Sequence, residues 1–592
     1  MKRKVRVSLP RLLQKKRMNE EPKSIWRKPG IGLRWFYAWP ILIAAAFFTI
    51  FVVGALTGSL PRGLSWEEWV TALVFILVVI LVVAFAFLGL WAFIRWLIRS
   101  RNFKRFIFGV ACFITLMALF YAEEDWRGKH ELEKFKREWE AKGEKFDYAS
   151  LIPPPVPDDQ NFAKAPIWVE AMKTSRLAMP LGSARSVWPL DRNGNWAIPT
   201  LTDLKGWQSY YRSLAATTNL FPVAPQPQTP AQDVLLALSK YDSTIEELRQ
   251  AGQRPYSRFP LDYAPGLPFD ASVLVRTLGP LHGCGQVLQL RAIAELQNGE
   301  SDKALDDVKF MLRLADAIRT EPFLISHLVR IATVQKALQP VYEGLAEHKW
   351  SDAQLAQLDS EFAKLDFLAD YELSMRGERA CEISWLEYVR RTRELSAGLS
   401  NPYDSGPTPE YRRILSHLIM PDAVFYQNEL TVARMQQQCI LPMADPADRT
   451  VSPSKVQQSQ SEVNRYLQHH WWWPNKIFAR ILMPGFQNAV IRFAYAQESV
   501  DLARVAIALE RYRLAHGEHP ESLDALAPQF IANLPHDIIN GQPLHYRRTA
   551  DGQFVLYSVG WNETDDGGVV ALTKAGNLDN RKGDWVWKYP AK

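Results

Sequence analysis

The sequence predicts a membrane-anchored, mainly α protein. It would carry three transmembrane helices, a large extracytoplasmic helical domain and a small C-terminal α+β domain with an antiparallel sheet. Three observations predict this. Apolar runs free of charge crowd the first fifth of the chain, helical periodicity dominates from about residue 231 to 516, and alternation of period 2 appears only near the C-terminus. The implied domains are a basic tail (1–34), a three-helix anchor (35–125) and a charged helical stalk with a Pro-rich linker (126–157). A helical domain (158–480) and the α+β domain (481–592) follow.

The anchor is organised around Val70 to Ile94, a run of 25 residues without a charge. At 1.5 Å per residue it makes a helix of about 37 Å, enough to cross a hydrocarbon core of about 30 Å with tilt. Trp35 to Leu60 is long enough to span as well. Phe106 to Tyr121 covers only about 24 Å unless Phe103 and snorkelling Lys104 and Arg105 extend it. Trp35, Trp39, Trp66, Trp69, Trp91, Trp96 and Trp126 lie near the ends of these runs, where an amphipathic ring is best accommodated.

Orientation follows from Lys and Arg in the short connections. Residues 1–34 hold twelve against Glu20 and Glu21. The loop 61–69 has only Arg62 with Glu67 and Glu68, and 95–105 has five. This basic, neutral, basic alternation predicts a cytoplasmic N-terminus, the orientation expected of a bacterial inner-membrane protein. The C-terminal part then lies in the periplasm. No cleavable signal precedes the first run, so the anchor is expected to be retained.

The tail is worth +10, so with +7 overall the other 558 residues sum to −3. The basic pI therefore belongs to the tail, which suits a topology signal and contact with anionic membrane lipids. A nucleic-acid partner loses its electrostatic argument. Four scattered cysteines (Cys112, Cys284, Cys381 and Cys439) make neither a disulfide framework nor a CxxC metal site. A Cys381 to Cys439 bridge stays open beside free buried thiols.

Beyond the anchor, Leu132, Phe135 and Trp139 put a narrow apolar stripe on a charged helix that the prolines of Ile152 to Pro157 stop. Loops surround a short helix at Leu204 to Ala216. Helices are then expected at Ala231–Gln250, Pro280–Leu296, Ser301–Arg319, Pro322–His348, Ser351–Leu365, Phe367–Leu395, Asp422–Leu441 and Ser452–Tyr466. Asn298-Gly299 closes one helix just before the next begins. That pair resembles the hairpins of tetratricopeptide proteins, in which antiparallel helices stack to hide faces neither could bury alone.

The last segment carries the one signature. A helix with Phe493, Ala496, Val500, Ala503 and Ile507 on its apolar face ends at Gly517, a left-handed cap, and Pro520 opens a short second helix. Strands follow at Leu544–Arg548 and Phe554–Val559. The ordered set Gly517, Pro520, Leu523, Leu526; Pro535, Asp537; Gly541, Pro543, Tyr546; Tyr557, Ser558, Gly560, Asn562; Asp565, Asp566, Gly567, Gly568; Asp584, Trp587 resembles the globular domain of type II secretion major pseudopilins. The resemblance spans about 85 residues. Ile538 and Asn562 depart from it, and no prepilin cleavage motif is present, so filament assembly is not implied. What it does imply is a calcium ion held by the Val559 carbonyl, Asn562, Asp565 or Asp566, and Asp584, hard oxygen donors around glycine. The competing reading is an acidic turn between strands.

His516, His519, His536 and His545 invite a metal site, although in the family pattern position 519 is often aromatic, which favours packing. His469 and His470 precede three tryptophans in HHWWWP, read as a plug between the helical and C-terminal domains, with a binding platform or a bilayer-resting surface as alternatives. The pairs Asp158-Asp159 and Asp306-Asp307 read as loop and solvated-face residues. GxSxG, HExxH, P-loop and GxGxxG motifs are absent, so no nucleotide partner or common hydrolase is indicated.

Two functions remain. One is an envelope or secretion-associated interaction protein presenting a binding and scaffold surface to a protein partner. The other is a hydrolase or lyase with a site between the helices and the C-terminal domain, using His469, His470 or the Asp565 loop.

Overall fold

The computed structural model describes residues 66–98, 100–174, 193–259, 271–394, 420–468 and 476–590, with Thr49 and Met179. The first apolar run and the HHWWWP cluster lie outside the described residues. The chain divides into two units, 1–119 and 120–592.

In the first unit, α1 (Trp66–Leu97) carries the central apolar run. Phe75, Val82 and Phe85 stand fully outward on it, as they do on a helix with no protein around it. The helix α2 (Ser100–Glu140) joins the third apolar run and the charged stalk into one element of 41 residues. Its apolar half exposes Phe108, Phe113, Ile114 and Leu116. Among the described residues these two helices are long and apolar enough to cross a membrane.

In the second unit the remainder of α2 is docked. The stripe predicted on a stalk is covered: Leu132 and Phe135 are 4% and 6% exposed. Glu144, just past the helix, takes hydrogen bonds from Arg376 (2.9 Å) and Arg379 (2.8 Å). Gly143, at φ 94°, makes the turn that brings it there.

Small helices α3 (Pro166–Thr174), α4 (Leu204–Ala215), α5 (Pro230–Leu238) and α6 (Asp242–Gly252) follow. The single helix expected from 231 is broken at Ser239–Tyr241 by a tighter turn. The core array is α7 (Ala271–Gln297), α8 (Ser301–Asp316) and α9 (Leu324–Ala346). Residues 298–300, with Gly299 at φ 81°, fold α8 back on α7, and α9 packs on both. Then come α10 (Asp352–Phe362), whose Ser351 and Gln354 form a reciprocal capping box, and α11 (Phe367–Thr392). Next are α12 (Asp422–Met435), continued by a wider π turn at Gln436–Ile440, and α13 (Pro453–Gln468). The short α14 (Ile477–Leu482) precedes α15 (Ala489–His516).

α15 is buried on every side over most of its length, from Ala489 to Glu510. Such a helix belongs in a core, where each fully buried Val, Ile or Leu contributes roughly 1.5–3 kcal/mol. It touches α9, α10 and α11 on one flank and the sheet on the other. Gly517 caps it at φ 86°, its N–H donating to the Arg513 carbonyl at 2.8 Å, as the sequence predicted.

The sheet has order β1-β2-β5, antiparallel throughout: β1 (His545–Arg548), β2 (Phe554–Ser558) and β5 (Trp585–Lys588). Tyr546 faces Leu556, and Leu556 faces Trp587. A separate ribbon pairs β3 (Val570–Leu572) with β4 (Leu578–Gly583). The fold is thus mainly helical with a small C-terminal antiparallel sheet. All four cysteines are free, so Cys381 and Cys439 form no bridge.

Candidate functional site

The predicted site borders the loop that leaves β2. Gly560 holds φ 66°, and a Cβ there would stand 2.4 Å from the Gly583 carbonyl, so a side chain is excluded. Two buried aspartates shape the loop. Asp537 accepts from Ser558 Oγ, Val559 N and Ile539 N, each at 2.9 Å. Asp584 accepts from the main-chain N–H of Asp566 (3.1 Å), Gly568 (2.6 Å) and Val569 (3.3 Å). Burial pushes the Asp584 carboxyl up from its ordinary value, against the pull of those three donors.

The other predicted ligands sit on the loop's outer side. The Asn562 amide donates to Asp566 Oδ2 at 2.9 Å, and Asp565 accepts from Gly567 N at 2.9 Å. His545 Nδ1 lies 3.5 Å from Asp565 Oδ2 and stacks on Tyr557. The donor chemistry of Val559, Asn562, Asp565, Asp566 and Asp584 suits a hard cation, and the loop also closes through its own hydrogen bonds.

The other histidines are dispersed. His516 stacks on Tyr512 with ring centroids 4.0 Å apart. His519 is buried edge-on against Phe554, the packing role expected of it, and a ring nitrogen of His536 meets the Arg449 carbonyl at 3.2 Å. Among the described residues no three His, Cys, Asp or Glu side chains gather as a metal site.

The junction where the second function would place its site is filled by rings. Trp196 and Tyr342 each meet Trp587 at 5.4 Å, and Tyr342 also meets Tyr589 at 5.4 Å. Tyr495 stacks on Trp196 and meets Trp585 at 5.3 Å, while the Tyr342 hydroxyl donates to the Lys588 carbonyl at 2.9 Å.

What sequence reasoning missed is the ionic interior. Asp307, expected on a solvated face, is fully buried: Arg249 pairs with it, and Arg291 lies 3.6 Å from it and 3.2 Å from Glu295. Burial and the neighbouring Asp307 push Glu295 up to about 8. Arg330 Nε donates to Asp370 at 2.7 Å, beside His327, whose Nδ1 is 3.6 Å from the same oxygen. This Ser326, His327 and Asp370 neighbourhood has no exposure for a substrate; it ties α9 to α11.

Further along, Glu498 accepts from Ile538 N at 3.0 Å. Burial, with Asp537 and Asp501 near, lifts its carboxyl well above the usual range. The signal for these groups was present in the sequence as lone charges inside apolar periods, such as Glu295 among Ala292, Ile293 and Leu296.

The most reactive-looking group is Lys336. Burial pushes its amine down to about 8, and its Nζ stands 3.0 Å from His282 Nδ1. The pair supplies a nucleophile and a proton acceptor. Comparison of the chain with protein-family models, characterised proteins and solved structures finds no match.

Proposed function

We propose that this chain is a bacterial inner-membrane protein with three spans and a cytoplasmic N-terminus. Its second unit acts outside the cytoplasm as a binding scaffold for another envelope protein. The carrying observation is α2: its first half exposes Phe108, Phe113 and Ile114, while its second half is clamped into the helical body by Leu132 and Phe135. Charge asymmetry supports the orientation, with twelve Lys and Arg in residues 1–34. The ring-filled junction supports a scaffold over the hydrolase or lyase reading.

Topology is tested with reporters fused after Lys592. Alkaline phosphatase is expected to be active there and green fluorescent protein dark; bright cytosolic fluorescence would overturn the orientation. Crosslinking in cells is expected to trap an envelope protein on the second unit, and recovery of the chain alone would remove the scaffold reading.

The calcium reading has its own check. Millimolar Ca²⁺ is expected to raise the melting temperature of the full-length protein in detergent, and a chelator to reverse the gain. Indifference to both would leave the Asn562 to Asp566 hydrogen bond as the loop's own closure.

A further inference from the structure

The short helix α14 is held at one end of the second unit by α12. Phe478 N and Ala479 N donate to Asn428 Oδ1 at 3.0 and 3.2 Å, and Phe478 stacks on Phe425 at 5.5 Å. Phe425 and Asn428 lie in the first two turns of α12, and those turns run beside the part of α2 just past its apolar half. Ala423 N donates to Asp125, Gln427 donates to Glu124 at 2.7 Å, and a Cβ on Gly128 would stand 3.3 Å from Tyr426 Cβ. α2 and α12 keep company in the same direction, since Arg434 pairs farther along with Glu131 at 3.9 Å.

α14 is therefore level with about Glu124 to Gly128. The run ends at Tyr121 and is followed by Ala122, and six residues of helix carry Gly128 about 9 Å beyond Ala122. The headgroup layer of one leaflet is roughly 5–8 Å deep, so α14 stands at its outer edge.

Its outward side has the chemistry of that layer. Ile477 and Ile481, one turn apart, are 41% and 57% exposed, while Phe478 and Ala479 face inward. Lys476 Nζ donates to the Tyr466 carbonyl at 2.8 Å and Arg480 Nε to the Leu467 carbonyl at 2.6 Å. Carbonyls do not neutralise them, and among the described residues neither forms an ion pair with a carboxylate. At the same level Arg127 lies 3.6 Å from Glu123 and also pairs with Glu124, and Asp125 accepts from Ala423 N at the start of α12.

We propose that α14 is a lipid-contacting surface. It lays Ile477 and Ile481 on the bilayer where α2 emerges, with Lys476 and Arg480 meeting anionic phospholipid headgroups. The inference rests on the reading that the apolar half of α2 crosses the membrane.

The test places a genetically encoded fluorescent residue at Ile481, Ile114 or Leu514 of the full-length protein. Each variant is reconstituted in phosphatidylethanolamine and phosphatidylglycerol vesicles carrying a quencher either near the lipid headgroup or deep in the acyl chains. Leu514, 44% exposed on α15, is the apolar control away from this end. Loss of fluorescence is expected at 481 with the headgroup quencher, at 114 with the acyl-chain quencher and at 514 with neither, and the loss at 481 is expected to be weakened by the double variant Lys476→Gln, Arg480→Gln. Quenching at 114 with none at 481 would overturn the lipid surface and leave the anchor standing. No quenching at 114 would overturn the anchor and this inference with it.

Discussion

Gly377→Ala is expected to destabilise the second unit by about 3 kcal/mol or more, one of the two largest effects predicted for the molecule. Gly377 lies inside α11, where glycine costs roughly 1 kcal/mol relative to alanine, so the helix alone would gain from the change. The opposing effect is steric. A Cβ at 377 would lie 1.6 Å from the Pro322 carbonyl oxygen and 2.6 Å from its carbon.

Those are main-chain atoms at the start of the segment leading into α9, and they cannot swing aside as a side-chain tip does. The neighbouring residues hold both partners in place: Glu378 accepts from Leu324 N at 2.8 Å, and Arg379 donates to Glu144. Opening the contact strains both. The check is chemical denaturation in detergent, with Gly279→Ala on α7 as the control, since a Cβ there meets nothing within 4 Å. Equal midpoints for the two variants would mean that α11 and the Pro322 carbonyl are not in contact.

The contrast between these two glycines shows what the sequence carried and what it did not. Periodicity located most of the helices, because an apolar stripe records which face is covered. The cap at Gly517 was legible because a left-handed residue after a helical run has few alternatives. A close approach such as that at Gly377 leaves no such record, since its partner is 55 positions away and belongs to the main chain.

The interior charges show in the sequence only as lone charges inside apolar periods, and their partners do not show at all, for a related reason. Pattern reading assigns a charge to the solvent side, and Asp307 was placed there, although Arg249 and Arg291 come from other helices to receive it. The stripe on the charged helix shows no partner in the sequence, whereas Phe135 lies against Phe146 and under Arg434 of α12. Of the acidic loop, composition showed the members. The clamping of the loop by Asp537 and Asp584 needed the chain to close over 15 to 22 residues.

The same interior charges make stability depend on pH, the second large effect. Glu429 on α12 is 1% exposed and its Oε1 has no hydrogen-bond partner. Burial pushes its carboxyl up to about 8; Lys136, Arg390 and Arg391 pull it down and Glu387 adds to the rise. In the unfolded chain a glutamate titrates near 4.3. Below that value both states are protonated and folding loses nothing. Between about 4.3 and 8 the unfolded chain ionises while the folded one keeps its proton, so stability falls as pH rises and levels off above the folded value.

Glu295 and Glu321, each pushed up to about 8, and Glu343 and Glu378, each to about 7, act with the same sign. Glu144 opposes them at the acid end. Burial alone would raise it, but hydrogen bonds from Arg376 and Arg379 outweigh burial and hold it at about 2, so its contribution is present above 4.3 and lost as pH falls toward 2.

The melting temperature of the full-length protein in detergent is therefore expected to fall from pH 5 to pH 8. Glu429→Gln, which keeps the shape and removes the ionisation, is expected to match the parent near pH 4.5. At pH 8 it should exceed the parent by about 1–3 kcal/mol. A parent protein that gains stability over that range, or a variant equally weakened at both pH values, would show that Glu429 is ionised and paired in the fold.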